Sequence, residues 1–265
     1  MGVRGASEPG ALLNETLELL YARRSTRVYD PSPLTTDEKQ AIAHAALRAP
    51  TGGNMVLYTI IEIEDQALKD RLAVLCDDQP FIAAAPWVLV FVADYQKWTD
   101  LFVAGGAYEM EGVEHRRGVS PGDLLLACSD ALIAAQNAVI AAESLGIGSC
   151  YIGDILENGE EVARLLELPP HTLPIAMVCF GRPRAPQEPI EHYGKRLVHT
   201  DRYRRMAPAD LTEAARDLAA LHAPHGLPEG AVDYPQVVYR RKFASAFMRE
   251  MNRSVTWWLE RWERG

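Results

Sequence analysis

The sequence predicts a β-sheet covered by helices, of the α/β or the α+β class. Short apolar runs rich in β-branched residues indicate strands, and longer segments between them repeat at helical spacing. The chain has 265 residues, 48% of them hydrophobic, so it can bury a sizeable core without disulfides or metal ions. The longest apolar run, 82–93, is shorter than the roughly 20 residues that a membrane-spanning helix needs.

Helices and strands alternate in the N-terminal half. Asn14 is placed to cap a first helix over 14–24. Thr35 and Glu38 form the capping box of a second helix, which ends before Pro50. The remaining predicted elements of this half are strands over 56–63 and 86–93 and a helix over 65–75.

The C-terminal half begins with a segment without periodicity, 103–122, which we expect to be a loop or lid. The longest predicted helix, 123–145, carries alanines over much of its surface. Small residues let helices approach closely, so we expect this helix to be buried or at an interface. The other predicted elements are strands over 148–152 and 173–180, helices over 157–166, 210–222 and 237–262, and a connector over 181–207.

The last predicted helix has an aromatic face made of Phe243, Phe247, Trp257, Trp258 and Trp262. A turn-rich stretch separates this helix from the rest of the chain. The residues alone leave two arrangements open: the aromatic face packs on its own domain, or it docks on a second subunit.

Charge and cysteine usage exclude several classes of protein. Lys and Arg total 27 against 36 Asp and Glu, and the net charge of −9 argues against nucleic acid or an anionic membrane as the main partner. The four cysteines are scattered and the seven histidines show no ligand spacing, so we expect neither a disulfide framework nor a metal site. The first residues lack the apolar stretch of a signal peptide, and we expect a cytoplasmic protein.

A basic cluster lies at the end of the first predicted helix. It consists of Arg23, Arg24, Ser25, Thr26 and Arg27. Guanidinium groups bind phosphate oxygens through paired hydrogen bonds, so the cluster can form an anion site. It can also be a solvated helix C-terminus, where the helix dipole favours cations.

Two glycine-containing segments are further candidates. The segment 49–54 would let the backbone lie close to a flat ligand, or it is an ordinary turn after a helix. The segment 146–154 ends at Gly153 and Asp154. Because the glycine has no side chain, the backbone N–H groups there could reach the edge of a ligand. Alternatively, the segment is a tight helix-to-strand turn. Neither Cys150 nor Ser149 stands in a recognisable Ser-His-Asp or Cys-His pattern of nucleophilic catalysis.

Taken in order, these segments resemble the nitroreductase family of FMN-dependent oxidoreductases. The resemblance rests on RRSTRVYD, LTTDEKQAIAHAALRAPTGGN, DALIAAQNAVIAAESLGIGSCYIGD and LPPHTLPIAMVCFGRP, and it runs in register over about 16–184. The extended C-terminal tail is similar to that of the larger, oxygen-insensitive members. The resemblance implies an α+β, nitroreductase-like fold with a central, mostly antiparallel sheet flanked by helices and followed by a helical tail.

The resemblance also implies how the chain is divided. Residues 13–207 would be the FMN-binding domain and 208–265 a helical extension that packs on the partner subunit, and the residues of 1–12 by themselves look like a disordered lead. Family members look like homodimers with FMN at the subunit interface. The expected partners are therefore a second copy of the chain and a small-molecule acceptor.

Positions that match the family's motifs are expected to hold FMN. They are Arg23, Arg24, Ser25, Arg27, Thr51, Asn54, Tyr151, Ile152, Gly153, Asp154, Arg182 and Arg184. The basic cluster would meet the phosphate and the N1/O2 edge of the flavin, and a backbone N–H of the segment 151–154 would meet N5. No catalytic side chain is expected, because the flavin performs the chemistry.

Two positions depart from the family's pattern. Val56 stands where many members carry a glutamine that contacts the isoalloxazine ring. Glu191 stands where long-tailed relatives carry a basic residue that reaches the phosphate. Either Arg182, Arg184 or Lys195 replaces that basic residue, or the first cluster alone binds the phosphate.

The activity implied by the resemblance is transfer of a hydride from NAD(P)H through flavin N5 to a nitroaromatic, quinone or similar planar acceptor, by a ping-pong mechanism. The segment 103–122 would border the acceptor pocket. Two alternatives use the same flavin pocket: a specialised enzyme that dehydrogenates a ring or fragments the flavin, and a non-catalytic protein that binds or stores FMN.

Overall fold

A computed structural model describes residues 13–114, 117–186 and 197–264. The lead expected over 1–12 lies outside the described residues, as do Glu191 and Lys195 of the connector. The described residues form two compact units. The larger unit comprises those of Arg23–Gln187 and Glu250–Gly265, and the smaller unit comprises those of Met1–Ala22 and Glu188–Arg249.

The larger unit is built on a four-stranded sheet. Its strands are β1 (Tyr58–Glu62), β2 (Trp87–Asp94), β3 (Gly148–Ile152) and β4 (Thr172–Gly181). They lie in the order β1-β2-β4-β3, and every neighbouring pair is antiparallel. The expected antiparallel sheet is confirmed, and the predicted central strand, β2, is buried along its whole length.

Helices form much of the rest of the chain. They are α1 (Glu15–Ala22), α2 (Thr36–Leu47), α3 (Gln66–Leu75), α4 (Pro80–Ala83), α5 (Gln96–Ala104), α6 (Pro121–Ser144), α7 (Gly159–Leu165), α8 (Pro208–His222), α9 (Tyr234–Val238) and α10 (Ala246–Arg264). The predicted capping box opens α2, where the Glu38 N–H donates to Thr35 Oγ1 at 3.3 Å. Asn14 caps α1 as predicted, because its Oδ1 accepts from the Leu17 N–H at 3.0 Å.

Alternate residues of β2 enter two different apolar clusters. Val88, Val90 and Val92 pack with residues of α3 and α7 and with the end of α10. Leu89 and Phe91 pack on the other face with α2 and the alanines of α6. The sheet of the larger unit is therefore covered by helices on both faces, which gives β2 its uniform burial.

The longest helix, α6, starts two residues before its predicted start. By length and composition alone it could cross a membrane, and 44% of its most apolar stretch is buried in the structure. Its alanine face packs on the sheet, whereas Leu125 and Leu126 are 70% and 56% exposed. Leu132 and Ile133 continue this exposed apolar stripe about two turns later.

Two predictions of secondary structure are wrong. The segment 103–122 is not a loop throughout, because α5 extends to Ala104 and a short 3₁₀ turn follows at Ala107–Glu109. The continuous helix predicted over 237–262 is interrupted by a π-helical turn, Tyr239–Phe243, and α10 begins only at Ala246. The extra residue of the π turn changes the helical register, and Phe243 is 73% exposed.

The aromatic face of the last helix is partly accounted for within one chain. Trp258 and Trp262 of α10 are fully buried in the core of the larger unit. Packing of 208–265 on a partner subunit stays a prediction for the remainder of this segment.

Candidate functional site

The basic cluster 23–27 is attached to β3 through the main chain. Ser25 forms a parallel bridge with Ser149, and the Thr26 N–H donates to the Ser149 carbonyl at 2.8 Å. Only glycine fits at position 148, because a Cβ there would overlap Thr26 Oγ1. This pairing brings the basic cluster beside the start of β3, so two of the predicted segments, 23–27 and 146–154, meet.

Arg23 lies near two half-buried groups, the Tyr151 hydroxyl and the Glu143 carboxyl. Burial raises the pKa of Tyr151 to about 12, and the charge of Arg23 acts in the opposite direction. Burial also raises the pKa of the Glu143 carboxyl, and Arg23 again opposes it. The Tyr151 hydroxyl donates to Gln136 Oε1 at 3.3 Å, which fixes the ring beside Arg23.

Arg27 lies beside an aromatic ring. Its guanidinium carbon lies 5.9 Å from the centroid of the Phe81 ring. Burial raises the pKa of the Cys150 thiol, although the charge of Arg27 and the Ser25 hydroxyl lower it. A thiol that stays protonated is a poor nucleophile, which agrees with the expectation that Cys150 has no catalytic role.

A 3₁₀ turn, Gly153–Leu156, follows β3 directly, and we call it the flavin turn because the resemblance to the nitroreductase family implies that its backbone would face FMN. Gly153 is exposed, and a Cβ built on it would meet no atom within 4 Å, so the space in front of its backbone is open. Behind it, Asp154 Oδ2 accepts a hydrogen bond from Gln79 Nε2 at 2.6 Å. Ile152 is buried, so only its backbone can face a ligand.

Thr51 and Asn54 lie in a loop, 51–57, with a different support. Asp130 of α6 is 4% exposed and accepts from the Gly52 N–H at 2.9 Å and from the Leu57 N–H at 3.2 Å. Trp98 Nε1 of α5 donates to the Met55 carbonyl at 2.8 Å. The loop is therefore bound by side chains of two helices, whereas the basic cluster is paired with a strand.

The same loop contains backbone strain. Asn54 and Val56 have φ angles of +57° and +51°, in the left-handed region that β-branched residues rarely adopt. The Val56 N–H donates to Thr51 Oγ1 at 3.2 Å, and the Val56 side chain is 37% exposed. Strain of this kind costs roughly 1–3 kcal/mol per residue and clusters at functional sites.

The two arginines of the connector have different surroundings. Arg182 forms an ion pair with Glu38, the carboxylate of the α2 capping box. Arg184 is exposed, and its backbone N–H donates to the Val28 carbonyl at 3.1 Å, beside the basic cluster. Arg184 is thus the better placed of the two to reach an anion near 23–27.

A pocket of about 260 Å³ opens beside α5. Tyr95, Phe102 and Tyr108 contribute aromatic walls, and Arg117 lies at its edge. The guanidinium of Arg117 is paired with Asp123 through two hydrogen bonds, of 2.5 and 3.0 Å. The pocket therefore combines flat apolar walls with a neutralised cation.

Sequence analysis missed Asp130, Trp98 and Gln79, which support the predicted residues from behind. Asp130 had a usable signal, because it is a lone acid between the alanines of an otherwise apolar helix face. Gln79 and Trp98 carry no such signal, since only the fold brings them to the flavin turn and the loop. Within 13–114, 117–186 and 197–264, no group of three or more His, Cys, Asp or Glu residues could hold a metal ion.

Comparison with known proteins finds one family and relatives whose names describe related reductases. Residues 20–182 match the model of a family described as the nitroreductase family. An FMN reductase (NADPH) of Bacillus subtilis is 32% identical over 72% of this chain and 78% of its own length. An oxygen-insensitive NADPH nitroreductase of Salmonella typhimurium is 32% identical over 68% of this chain and 74% of its own length.

A solved structure shares the fold. The NADPH:FMN oxidoreductase of Vibrio harveyi, determined in complex with NAD+, superposes with a TM-score of 0.73 at 24% identity. The match covers 91% of this chain and 98% of that protein. The similarity therefore extends beyond the segment 20–182 that the family model covers.

Proposed function

Because the chain belongs to the nitroreductase family, it is an FMN-dependent oxidoreductase that uses NAD(P)H, and we propose that it reduces nitroaromatics, quinones or similar planar acceptors. Bound FMN would supply the redox chemistry, taking two electrons from the nicotinamide and giving them to the acceptor. The proposed kinetic order is ping-pong, in which the oxidised nicotinamide leaves before the acceptor binds in its place.

The single observation that carries this proposal is the pairing of the basic cluster with β3. It fixes the backbone of the arginine-rich segment beside β3, the strand that leads into a turn whose glycine faces open space, and this combination supports a site for a phosphorylated planar cofactor. Arg23, Ser25 and Arg27 would hold the phosphate and the N1/O2 edge, with Arg24 and Arg184 as further cations. Gly153 or Asp154 would offer a backbone N–H to N5.

The cations would also assist the reaction electrostatically. Reduction increases the negative charge on the N1/O2 edge of a flavin, and a guanidinium fixed beside that edge stabilises it. Because the proposed electron transfer needs no side-chain nucleophile, the protonated Cys150 thiol is compatible with it.

We also propose that the protein is a cytoplasmic homodimer with the cofactor at the subunit interface. The loop 51–57 and the basic cluster have separate supports, so a second copy can bring one to the other. The exposed apolar stripe on α6, which starts at Leu125 and Leu126, offers a surface that a partner would cover. Sedimentation equilibrium of the purified protein measures whether it is a dimer.

The aromatic pocket beside α5 fits the acceptor side of the proposal. Trp98 bonds to the loop 51–57, and its ring centroid lies 5.7 Å from that of Phe102, which lines the pocket. The volume of this pocket, about 260 Å³, suits a ligand of one or two rings.

The test is the reduction and reoxidation of the purified holoprotein. We expect a yellow protein that NADPH or NADH bleaches without oxygen, and whose colour returns on adding a quinone or nitroaromatic. Parallel lines in double-reciprocal plots would support the ping-pong order. A colourless protein that does not take up added FMN would refute the proposal. A yellow protein that neither nicotinamide bleaches would favour the specialised enzyme or the storage protein.

A further inference from the structure

The rear of the flavin turn is bound to the last helix. Ser254 of α10 is fully buried, and its hydroxyl donates to the Leu156 carbonyl at 2.6 Å. The same hydroxyl accepts from the Gly159 N–H at 2.8 Å. Trp258, one turn later, donates its Nε1–H to the Leu156 carbonyl at 3.2 Å. One carbonyl at the end of the turn thus receives two hydrogen bonds from a single helix.

The chain has little room to move at this contact. A Cβ at Gly159 would lie 2.7 Å from Trp258 Nε1 and 2.9 Å from Ser254 Oγ, so only glycine allows the helix this close. Asn158, just before it, has a φ of +50°, and its side chain donates to the Leu75 carbonyl at 2.8 Å. The segment that leaves the flavin turn is therefore fixed by both its backbone and its neighbours.

The turn is also held at its other end. Asp154 is bound to Gln79, and the Glu157 N–H donates to the Asp154 carbonyl at 3.0 Å. Gly153 faces open space. A displacement of the Leu156 carbonyl would accordingly be transmitted over three residues to the Gly153–Asp154 peptide.

We propose that Ser254 is a positioning residue for the flavin, acting through Leu156 and Gly159 on the backbone N–H of Gly153 or Asp154 that would face N5. This inference rests on the proposed function. N5 accepts a hydrogen bond in the oxidised flavin and carries its own hydrogen in the reduced flavin. A well-placed backbone N–H therefore favours the oxidised form, and loosening the turn removes part of that preference.

The test compares three variants of one helix. Ser254→Ala removes the hydroxyl, and Trp258→Phe removes the second donor to the same carbonyl. Trp262→Phe is the matched control, because Trp262 is also buried in α10 and its Nε1 donates at 3.2 Å to the Ser120 carbonyl, away from the flavin turn. The measurements are the midpoint potential and visible spectrum of bound FMN, together with urea unfolding.

We expect Ser254→Ala and Trp258→Phe to weaken binding of oxidised relative to reduced FMN by up to about tenfold, which raises the midpoint potential by up to about 30 mV. Trp262→Phe should lower stability to a similar degree and leave the potential unchanged. Equal potentials in all variants and the wild type would overturn the inference, as would an equal shift in the control.

Failure of the proposal can be separated from failure of the proposed function. A wild type that does not bind FMN overturns both. A wild type that binds FMN and turns over, with a potential that Ser254→Ala does not change, overturns only the role of Ser254. If Trp258→Phe does not fold, the comparison of Ser254→Ala with Trp262→Phe decides alone.

Discussion

Two of the groups of residues proposed to contact FMN are held in place by different means. The basic cluster 23–27 is fixed by main-chain pairing with β3, which depends on a glycine at 148. The loop 51–57 is fixed by the carboxylate of Asp130 and the indole of Trp98, and it carries strained residues. Side chains of the cluster can thus change without moving its backbone, whereas one distant substitution can release the loop.

The largest effect is expected in the basic cluster. Arg23→Ala or Arg27→Ala should lower FMN affinity by about a hundredfold, roughly 3 kcal/mol, because each removes a preorganised cation. The fold should remain, since the backbone pairing is untouched. Fluorescence titration with FMN and circular dichroism measure the two quantities. Arg71→Ala, on exposed α3 surface, is the control, and full FMN retention in both cluster variants would contradict the site.

For the loop 51–57 we expect a smaller effect on FMN binding than for the basic cluster, together with a loss of stability. Asp130→Ala should lower the free energy of unfolding by about 2 kcal/mol, because the buried Leu57 N–H and the Gly52 N–H both lose their acceptor. The KM for the acceptor should rise more than the dissociation constant of FMN. Urea unfolding and steady-state kinetics test this. Asp100→Ala on α5 removes an exposed carboxylate as the control, and equal behaviour of the two variants would show that the loop needs no anchor.

The third prediction concerns the pH dependence of the flavin turn. Burial of Glu157, with Asp154, Asp77 and Glu250 nearby, raises its pKa from 4.5 to about 7. The folded state then binds the proton more tightly than the unfolded state. Stability should therefore fall as the pH rises from about 4.5 to about 7, by on the order of 1–2 kcal/mol.

Glu157→Gln isolates this contribution, because the amide stays neutral. The variant should be more stable than the wild type at pH 8 and similar to it at pH 4, as measured by urea unfolding. Glu160→Gln is the control with a pKa shift of the opposite direction. The hydrogen bond with Arg253 lowers the pKa of Glu160, so removing this carboxylate should give no gain in stability at pH 8. A wild-type advantage over Glu157→Gln at pH 8 would contradict the assignment.

The smallest effect is expected for the thiol beside the cluster. Cys150→Ala should leave turnover nearly unchanged, because burial keeps the thiol protonated and no step of the proposed reaction uses it. Steady-state reduction of a quinone measures this. A large loss of turnover at unchanged FMN content would instead indicate thiol chemistry.

Local signals in the sequence predicted much of the fold. The capping box of α2 and the β-branched strand β2 are determined by residues within a few positions of each other, and both appear as predicted. Helix α5 was missed because Tyr95, which precedes it, makes no capping hydrogen bond with its side chain. The break before α10 was missed because the aromatic residues around it keep a helical spacing that a π turn shifts by one residue.

The site was predicted less completely than the fold, because some of its residues act on backbone groups that are far away in the sequence. Arginines followed by a serine carry their chemistry in their own side chains, so sequence order was enough to select them. Asp130 and Ser254 act on backbone groups 73–78 and 95–98 residues away, and only the folded chain brings these atoms together. Residues that bind a ligand directly were therefore easier to predict than residues that hold them in place.

Trp257, Trp258 and Trp262 are three of the five tryptophans of this chain, and all of them lie in α10. The intrinsic ultraviolet fluorescence of the protein will therefore be weighted towards this helix. A shift of the emission maximum to longer wavelength, as water reaches Trp258 and Trp262, would report undocking of α10 without any added dye. Detachment of this helix could thus be followed during unfolding separately from the loss of the sheet.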